Sequence, residues 1–291
     1  MTPYPNSNDR LENPSIRVSD DGAFWTLPAD LRDPIVPAPE RSDHHHSDPF
    51  ILIKAETLHL FYRTTDKTEN KSIISWIQTK DLINWTPTKV IYHGDWVLSP
   101  SIIYDDGIWK MWFVDKTGNS SMRIMYTTAT NPENFSDAVP CELMLEGYQC
   151  WHIEVRKDHE EFRALINVFP GRELSNRQVL FFANSRDGIQ WQASFEPIAR
   201  PTIFGWDNKL LYKASFQLQE NDVRIWYSAS SYGRKWYIGE MIGTFNSVRR
   251  VSGNPPQRIF WPLKFFDDFL GFSRLMIGRF IKKRFIRQVR T

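Results

Sequence analysis

Thr79-Lys80-Asp81-Leu82-Ile83-Asn84-Trp85 is the stretch on which the fold turns, because the chain repeats it. It recurs as Ser19-Asp20-Asp21-Gly22-Ala23-Phe24-Trp25 and as Ser185-Arg186-Asp187-Gly188-Ile189-Gln190-Trp191. A degenerate copy, Thr130-Asn131-Pro132-Glu133-Asn134-Phe135, lies between the copies at Thr79 and Ser185. The three full copies are a Ser/Thr-x-Asp step followed by a Trp, and the degenerate one keeps the Thr and ends in Phe135. The aromatic positions 25, 85, 135 and 191 are 60, 50 and 56 residues apart. Before each closure run strands rich in Trp, Tyr and Phe. β-rich repeats of this length point to propeller blades.

The strands between closures follow one order. Pro49-Phe50-Ile51-Leu52-Ile53, Leu58-His59-Leu60-Phe61-Tyr62-Arg63 and Ser72-Ile73-Ile74-Ser75-Trp76-Ile77 lead into the Trp85 closure. The next unit opens at Ser99-Pro100-Ser101-Ile102-Ile103-Tyr104, turns at Asp105-Asp106-Gly107, where an Asp-Gly step suits a tight hairpin, and returns through Trp109 to Val114. Two more units begin at Cys150-Trp151-His152-Ile153-Glu154-Val155 and at Leu211-Tyr212-Lys213-Ala214-Ser215-Phe216. Residues 1–27 hold only the back half of a unit, Asn13 to Trp25, and a Pro-rich connector follows at Pro28, Pro34, Pro37 and Pro39. The expected fold is all-β: a five-bladed propeller over 1–250 with an incomplete first blade.

From Phe265 to Ile281 the period changes. Phe265, Phe269, Phe272, Met276 and Phe280 fall on one line at helical spacing, and Asp267, Asp268, Arg274, Arg279 and Lys282 take the other face. Residues 258–291 therefore read as a basic amphipathic helical tail. The net charge of +2 divides into +7 on the tail and −5 on the rest. An aromatic face flanked by Lys and Arg suits an anionic membrane surface or a protein partner, and packing on the propeller competes. The mildly acidic body and the apolar face of the tail argue against nucleic acid.

With 41% hydrophobic and 24% charged residues the composition is globular. Its aromatic share is 14%, including 12 Trp, which serves both blade packing and sugar-stacking surfaces. Two cysteines, Cys141 and Cys150, allow one disulfide but no framework. Neither a signal peptide nor a run long enough to span a membrane is visible, so a cytoplasmic or peripheral membrane location is expected.

In a propeller the first strand of each blade lines the channel, so the residues that open those strands converge on the axis. Here they are Asp48, Ser99, Glu154 and Lys213. Two of the four are carboxylic acids, the chemistry that glycosidic hydrolysis uses. Glu154, between Ile153 and Val155 and beside Trp151, is the candidate acid, since burial favours a protonated carboxyl. Asp48 is the second carboxyl or a substrate ligand. The competing reading pairs Glu154 to Lys213 or Arg63 for structure. His46, Arg63, Trp96, Ser99, Trp151, His152 and Lys213 are candidate substrate contacts: Trp96, Trp151 and Trp206 as stacking surfaces, Arg63 as a partner for an anionic sugar. His44-His45-His46 reads as a solvated loop or channel wall rather than as a metal site, and no cofactor is called for.

The strand openings and closures together resemble the five-bladed propellers of glycoside hydrolase families 32, 43 and 62, and within that group bacterial and phage-borne relatives. The matching segments are Thr2-Pro3-Tyr4-Pro5, Glu12-Asn13-Pro14-Ser15-Ile16, Ser47-Asp48-Pro49, Lys110-Met111-Trp112 and Tyr212-Lys213-Ala214-Ser215. The resemblance implies a channel with a base or nucleophile Asp on the first blade, an orienting Asp and a general-acid Glu, and Glu154 matches the last. In the relatives a further strand with an acidic residue precedes the segment like 2–5, and the third blade here offers Ser99. The expectation is a glycoside hydrolase acting in the channel. A non-catalytic glycan-binding propeller, and a scaffold brought to a membrane by its tail, remain as alternatives.

Overall fold

The computed structural model describes residues 8–116, 122–171, 177–220, 222–232 and 236–251. The expected tail, 258–291, and the segment 2–5 lie outside them. Apart from a single 3-10 turn, Asp9–Leu11, the regular structure of the described residues is all strand.

The strands form four antiparallel meanders in chain order. The first sheet is β1 (His44–Lys54), β2 (Thr57–Asp66), β3 (Lys71–Thr79) and β4 (Lys89–Gly94). The second is β5 (Val97–Asp105), β6 (Ile108–Asp115), β7 (Arg123–Ala129) and β8 (Val139–Pro140). The third runs β10 (Tyr148–Asp158), β11 (Glu161–Pro170), β12 (Val179–Ser185) and β13 (Gln190–Ala193), with the two-residue β9 (Glu142–Leu143) added parallel to β13 as a fifth strand. The fourth is β14 (Leu210–Gln219), β15 (Asp222–Ser230), β16 (Trp236–Thr244) and β17 (Ser247–Arg250). The chain divides into two compact units, Met1–Ile166 with Phe182–Ala193, and Asn167–Phe181 with Ser194–Thr291.

Period-two alternation decides what each strand buries. On β2, His59 and Phe61 enter the core between the first two sheets, where Phe61 packs with Phe50, Ile74, Trp76, Ile102, Trp109, Met111 and Phe113. Burying a side chain such as Phe61 completely is worth about 1.5–3 kcal/mol. The alternate residues, Leu60 and Tyr62, face the other way and meet Ile16, Leu31, Ile35 and Val36 of the N-terminal segment. That segment packs on this second face of the first sheet, but it pairs with itself through one bridge, Val18 to Thr26, and adds no strand to the four sheets.

The repeated closure is a hydrogen-bonded turn. In the copy at Thr79, the hydroxyl donates to Asp81 Oδ1 (2.9 Å) and accepts from Leu82 N–H (3.0 Å). Asp81 Oδ1 also accepts from the N–H groups of Ile83 (2.9 Å) and Asn84 (2.8 Å), and Trp85 Nε1–H donates to Leu82 O (2.9 Å). Ser185, Asp187 and Trp191 repeat the same bonds around Gly188, and Ser19, Asp21 and Trp25 repeat them around Gly22. The residue after Asp is left-handed in each copy: φ is 64° at Leu82, 79° at Gly188 and 75° at Gly22. Glycine accepts that conformation freely and Leu82 does not.

Candidate functional site

The strands β1, β5 and β14 carry the same irregularity. On β1, Ser47 pairs with Arg63 and Phe50 with Phe61, so Asp48 and Pro49 together oppose Tyr62. On β5, Ser99 and Pro100 oppose Phe113, and on β14, Tyr212 and Lys213 oppose Ser228. A bulge of two residues against one leaves its extra residue outside the ladder and re-aims a side chain. Proline is tolerated there because no ladder N–H is needed. Asp48 and Ser99 are both left-handed, with φ of 50° and 53°.

The bulges bring Asp48 and Ser99 together. Asp48 is buried, and its Oδ2 accepts from the Ser99 backbone N–H at 3.3 Å. Arg63 Nε stands 3.2 Å from the same oxygen, and the Oδ1 of Asp48 is 3.6 Å from Nδ1 of buried His152. Arg63 also donates from Nε to Ser47 Oγ (2.8 Å) and from Nη1 to Val97 O (3.5 Å). The Trp151 ring meets His152 edge-on, with centroids 5.6 Å apart. Ser99 Oγ donates to Ile153 O (3.4 Å), and Val155 N–H donates to Ser101 Oγ (2.8 Å), so β5 grips β10 on either side of Glu154. Glu154 is buried, and Arg156 Nη2 donates to its Oε1 at 2.6 Å while the guanidinium lies over the Phe50 ring at 5.4 Å.

Asp48 on β1, Ser99 on β5 and Trp151, His152 and Glu154 on β10 thus stand on three inner strands held to one another, with Arg63 reaching Asp48 from β2. Two partnerships differ from expectation. Arg63 faces Asp48 rather than Glu154, and the partner seen on Glu154 is Arg156, two residues along the same strand. Arg156 and Ser47 were missed in the sequence, although 152, 154 and 156 share a face of β10 by alternation. Lys213 lies on β14 in the second unit, where its carbonyl accepts from Ser228 Oγ (3.0 Å). By register the residue equivalent to Asp48 and Ser99 is Tyr212, and Lys213 stands where Pro49 and Pro100 do. A shift of one place puts a side chain on the other face.

The histidine triplet is strand, not loop. His44 Nε2 is 3.0 Å from Asp66, while His46 Nδ1 shares a hydrogen bond with Thr64 (2.9 Å) and meets Tyr62 edge-on. Burial holds His45 and His46 down to about 4, so both are neutral near pH 7. Among the described residues no group of three or more His, Cys, Asp or Glu is placed to hold a metal ion. Trp96 is half-buried with Lys116 over its ring at 5.4 Å. Trp206 stacks on Tyr227, with centroids 5.6 Å apart, and packs edge-on against Tyr237, which is a core role in the second unit. Cys141 and Cys150 are free thiols, and burial pushes both up to about 12.

No family model matches the chain. Among curated proteins it is similar to the A type blood N-acetyl-alpha-D-galactosamine deacetylase of Flavonifractor plautii, 25% identical over 281 residues. The match takes in 75% of this chain but 36% of that protein, so the chain spans about a third of the relative's length. The crystal structure of an N-acetylgalactosamine deacetylase from F. plautii in complex with blood group B trisaccharide superposes with a TM-score of 0.77 at 21% identity, covering 84% of each chain. A thermostable family-43 glycoside hydrolase gives 0.59 at 14% identity over 77% of this chain and 76% of its own. An alpha-L-arabinofuranosidase from Lactobacillus brevis gives 0.58 at 13% identity over 78% of each. The chain has the all-β propeller fold that these carbohydrate-active enzymes share, with four blades among its described residues. At these identities the likeness is one of fold.

Proposed function

We propose that the protein is a carbohydrate-active hydrolase that removes the acyl group of an acetamido sugar, working at the Asp48–His152 pair. The observation that carries this reading is the Asp48 carboxylate facing a buried imidazole at 3.6 Å within a cluster drawn from three inner strands. Once a substrate and water enter this buried site, the Asp48 carboxylate, closing from 3.6 Å to hydrogen-bond distance of Nδ1, would orient the ring and leave Nε2 to take a proton from the water. The water oxygen bonds to the acyl carbon, the C–N bond breaks, and the proton passes to the departing sugar nitrogen. The products are acetate and an amino sugar. The likeness to the F. plautii deacetylase supports the same reading.

A second reading keeps Glu154 as the acid of a glycosidase, with Asp48 as the other carboxyl, and the family-43 neighbour favours it. Against it stands the pairing of each carboxylate with a guanidinium, Glu154 with Arg156 at 2.6 Å and Asp48 with Arg63 at 3.2 Å. Such charge-assisted bonds suit acceptors rather than proton donors. Both readings take residues 1–250 as a five-bladed propeller whose incomplete blade is the segment from Asn13 to Trp25, with a glycan as partner.

The test is an oligosaccharide ending in N-acetylgalactosamine, with acetate and new reducing ends measured together. Acetate without reducing ends is the expected result, and His152→Ala lowers its release by about 100-fold or more, the usual worth of a positioned acid–base group. Reducing ends without acetate would establish the glycosidase. Binding with neither product would leave a glycan-binding module.

A further inference from the structure

Arg63 stands out because the fold does not need a cation at its position. It is the residue paired across the ladder immediately before the β1 bulge, opposite Ser47. The equivalent residues are Val114, opposite Leu98 at the β5 bulge, and Ala229, opposite Leu211 at the β14 bulge. An apolar side chain therefore completes this junction elsewhere, and a guanidinium appears at the one of these three that bears an acid. The side chain of Arg63 is 11% exposed, which gives a small molecule little access to its charge.

Its contacts are those of a clamp. Nε donates to Ser47 Oγ and stands 3.2 Å from Asp48 Oδ2 as an ion pair, and Nη1 donates to Val97 O on β5. The planar fork of arginine holds several acceptors in fixed geometry, which the single ammonium of lysine cannot reproduce. Ser99 N–H binds the same Oδ2, so Arg63 and Ser99 together set that oxygen and turn Oδ1 toward His152.

We propose that Arg63 is a positioning residue that orients the Asp48 carboxylate onto His152, and that it does not bind the sugar as an anion receptor. The inference rests on the Asp48–His152 reading of the site. The charged group seen on this carboxylate is Arg63 from β2; the neutral imidazole of His45 on β1 feels both Arg63 and Asp48, and on β10 Glu154 and Arg156 pair with each other.

The experiment compares wild type, Arg63→Gln and Arg63→Lys in acetate release and in the imidazole nitrogen NMR titration of His152, assigned as the resonance that His152→Gln removes. Thermal melts establish that each variant is folded. Arg63→Gln is expected to lower kcat by about 100-fold, the cost of a misplaced catalytic group, with KM changed by less than about twofold. Loss of a nearby positive charge favours the imidazolium, so the acidic limb of the rate profile and the His152 titration both move to higher pH. Arg63→Lys is expected to restore the titration more than kcat. A folded Arg63→Gln with wild-type kcat, or with KM raised and kcat unchanged, would overturn the proposal. If the wild type releases no acetate, the functional reading fails separately. The His152 titration then still decides, and an unmoved curve in Arg63→Gln would end the positioning role as well. If Arg63→Gln does not fold, the same two readouts on Arg63→Lys decide it.

Discussion

The carbonyl oxygen of Gly188 collects three donors: Trp112 Nε1–H at 2.7 Å, Trp191 Nε1–H at 2.9 Å and the Cys141 thiol at 3.5 Å. Its Cα is as constrained as its carbonyl. A Cβ there would lie 2.7 Å from Trp112 Cζ2, and φ is 79°, so both space and backbone demand glycine. Gly107 has the same φ of 79° but nothing within 4 Å of an added Cβ. Gly107→Ala should therefore cost about 1 kcal/mol from backbone strain alone. Gly188→Ala should cost about 3 kcal/mol or more, because overpacking adds to the strain. Urea unfolding of the two variants beside wild type measures the difference, and equal losses would remove Trp112 from the account. Asp187 shows the same dependence on a turn. It accepts from two backbone N–H groups at 2.8 Å, and Asp187→Ala should cost about 1 kcal/mol, as the loss of a capping side chain does.

Among the elements, the hairpin between β5 and β6 was readable in advance. Asp105 pairs with Ile108 across Asp106 and Gly107, whose φ values of 50° and 79° make the tight turn that Asp-Gly favours. The closures were readable for a similar reason, since their hydrogen bonds join residues two to three places apart and so leave a fixed spacing. The bulges were half readable. Ser47-Asp48-Pro49 and Ser99-Pro100 announce an interrupted ladder, but Tyr212-Lys213 has no proline, and its register was misjudged by one place. Arg63 is 15 residues from Asp48 along the chain, and nothing local predicts that β2 folds back to put the two 3.2 Å apart. The Glu154–Arg156 pair is local, yet alternation shows only that the two share a face, not that they bind.

Across the molecule, three imidazoles make stability depend on pH. Burial holds His45, His46 and His59 each down to about 4, against about 6.5 in an unfolded chain. His59 must also keep Nδ1 unprotonated, because it accepts from Trp76 Nε1–H at 3.1 Å. The unfolded chain therefore binds more protons between these values, and stability present above pH 6.5 is lost as pH falls toward 4. Allowing for solvent screening, each imidazole contributes roughly 1–2 kcal/mol. Urea midpoints at pH 7, 5.5 and 4.5 should fall in that order, and a flat series would contradict the burial of these rings. The second unit is held by a different device. Buried Asp207 accepts from Thr202 Oγ1 (2.5 Å), Tyr227 OH (3.1 Å) and Arg250 Nε (2.7 Å), which ties β15 and β17 to the segment before β14.

Class of fold, repeat unit, turns and the strands that open toward the site follow from local rules: a period of two, a Ser/Thr-x-Asp step, an Asp-Gly pair, a proline in an inner strand. These act over a few residues, so linear spacing preserves them. The partners of each charge do not follow from such rules. Arg63 on Asp48, His152 beside the same carboxylate, and Ser99 gripping β10 join residues 15 to 104 places apart. Their choice depends on register and on the packing of one sheet against another, where a shift of one residue reverses a side chain. The sequence therefore named Asp48 and Glu154 as acids of interest, and the folded chain assigned each its guanidinium, and Asp48 its imidazole.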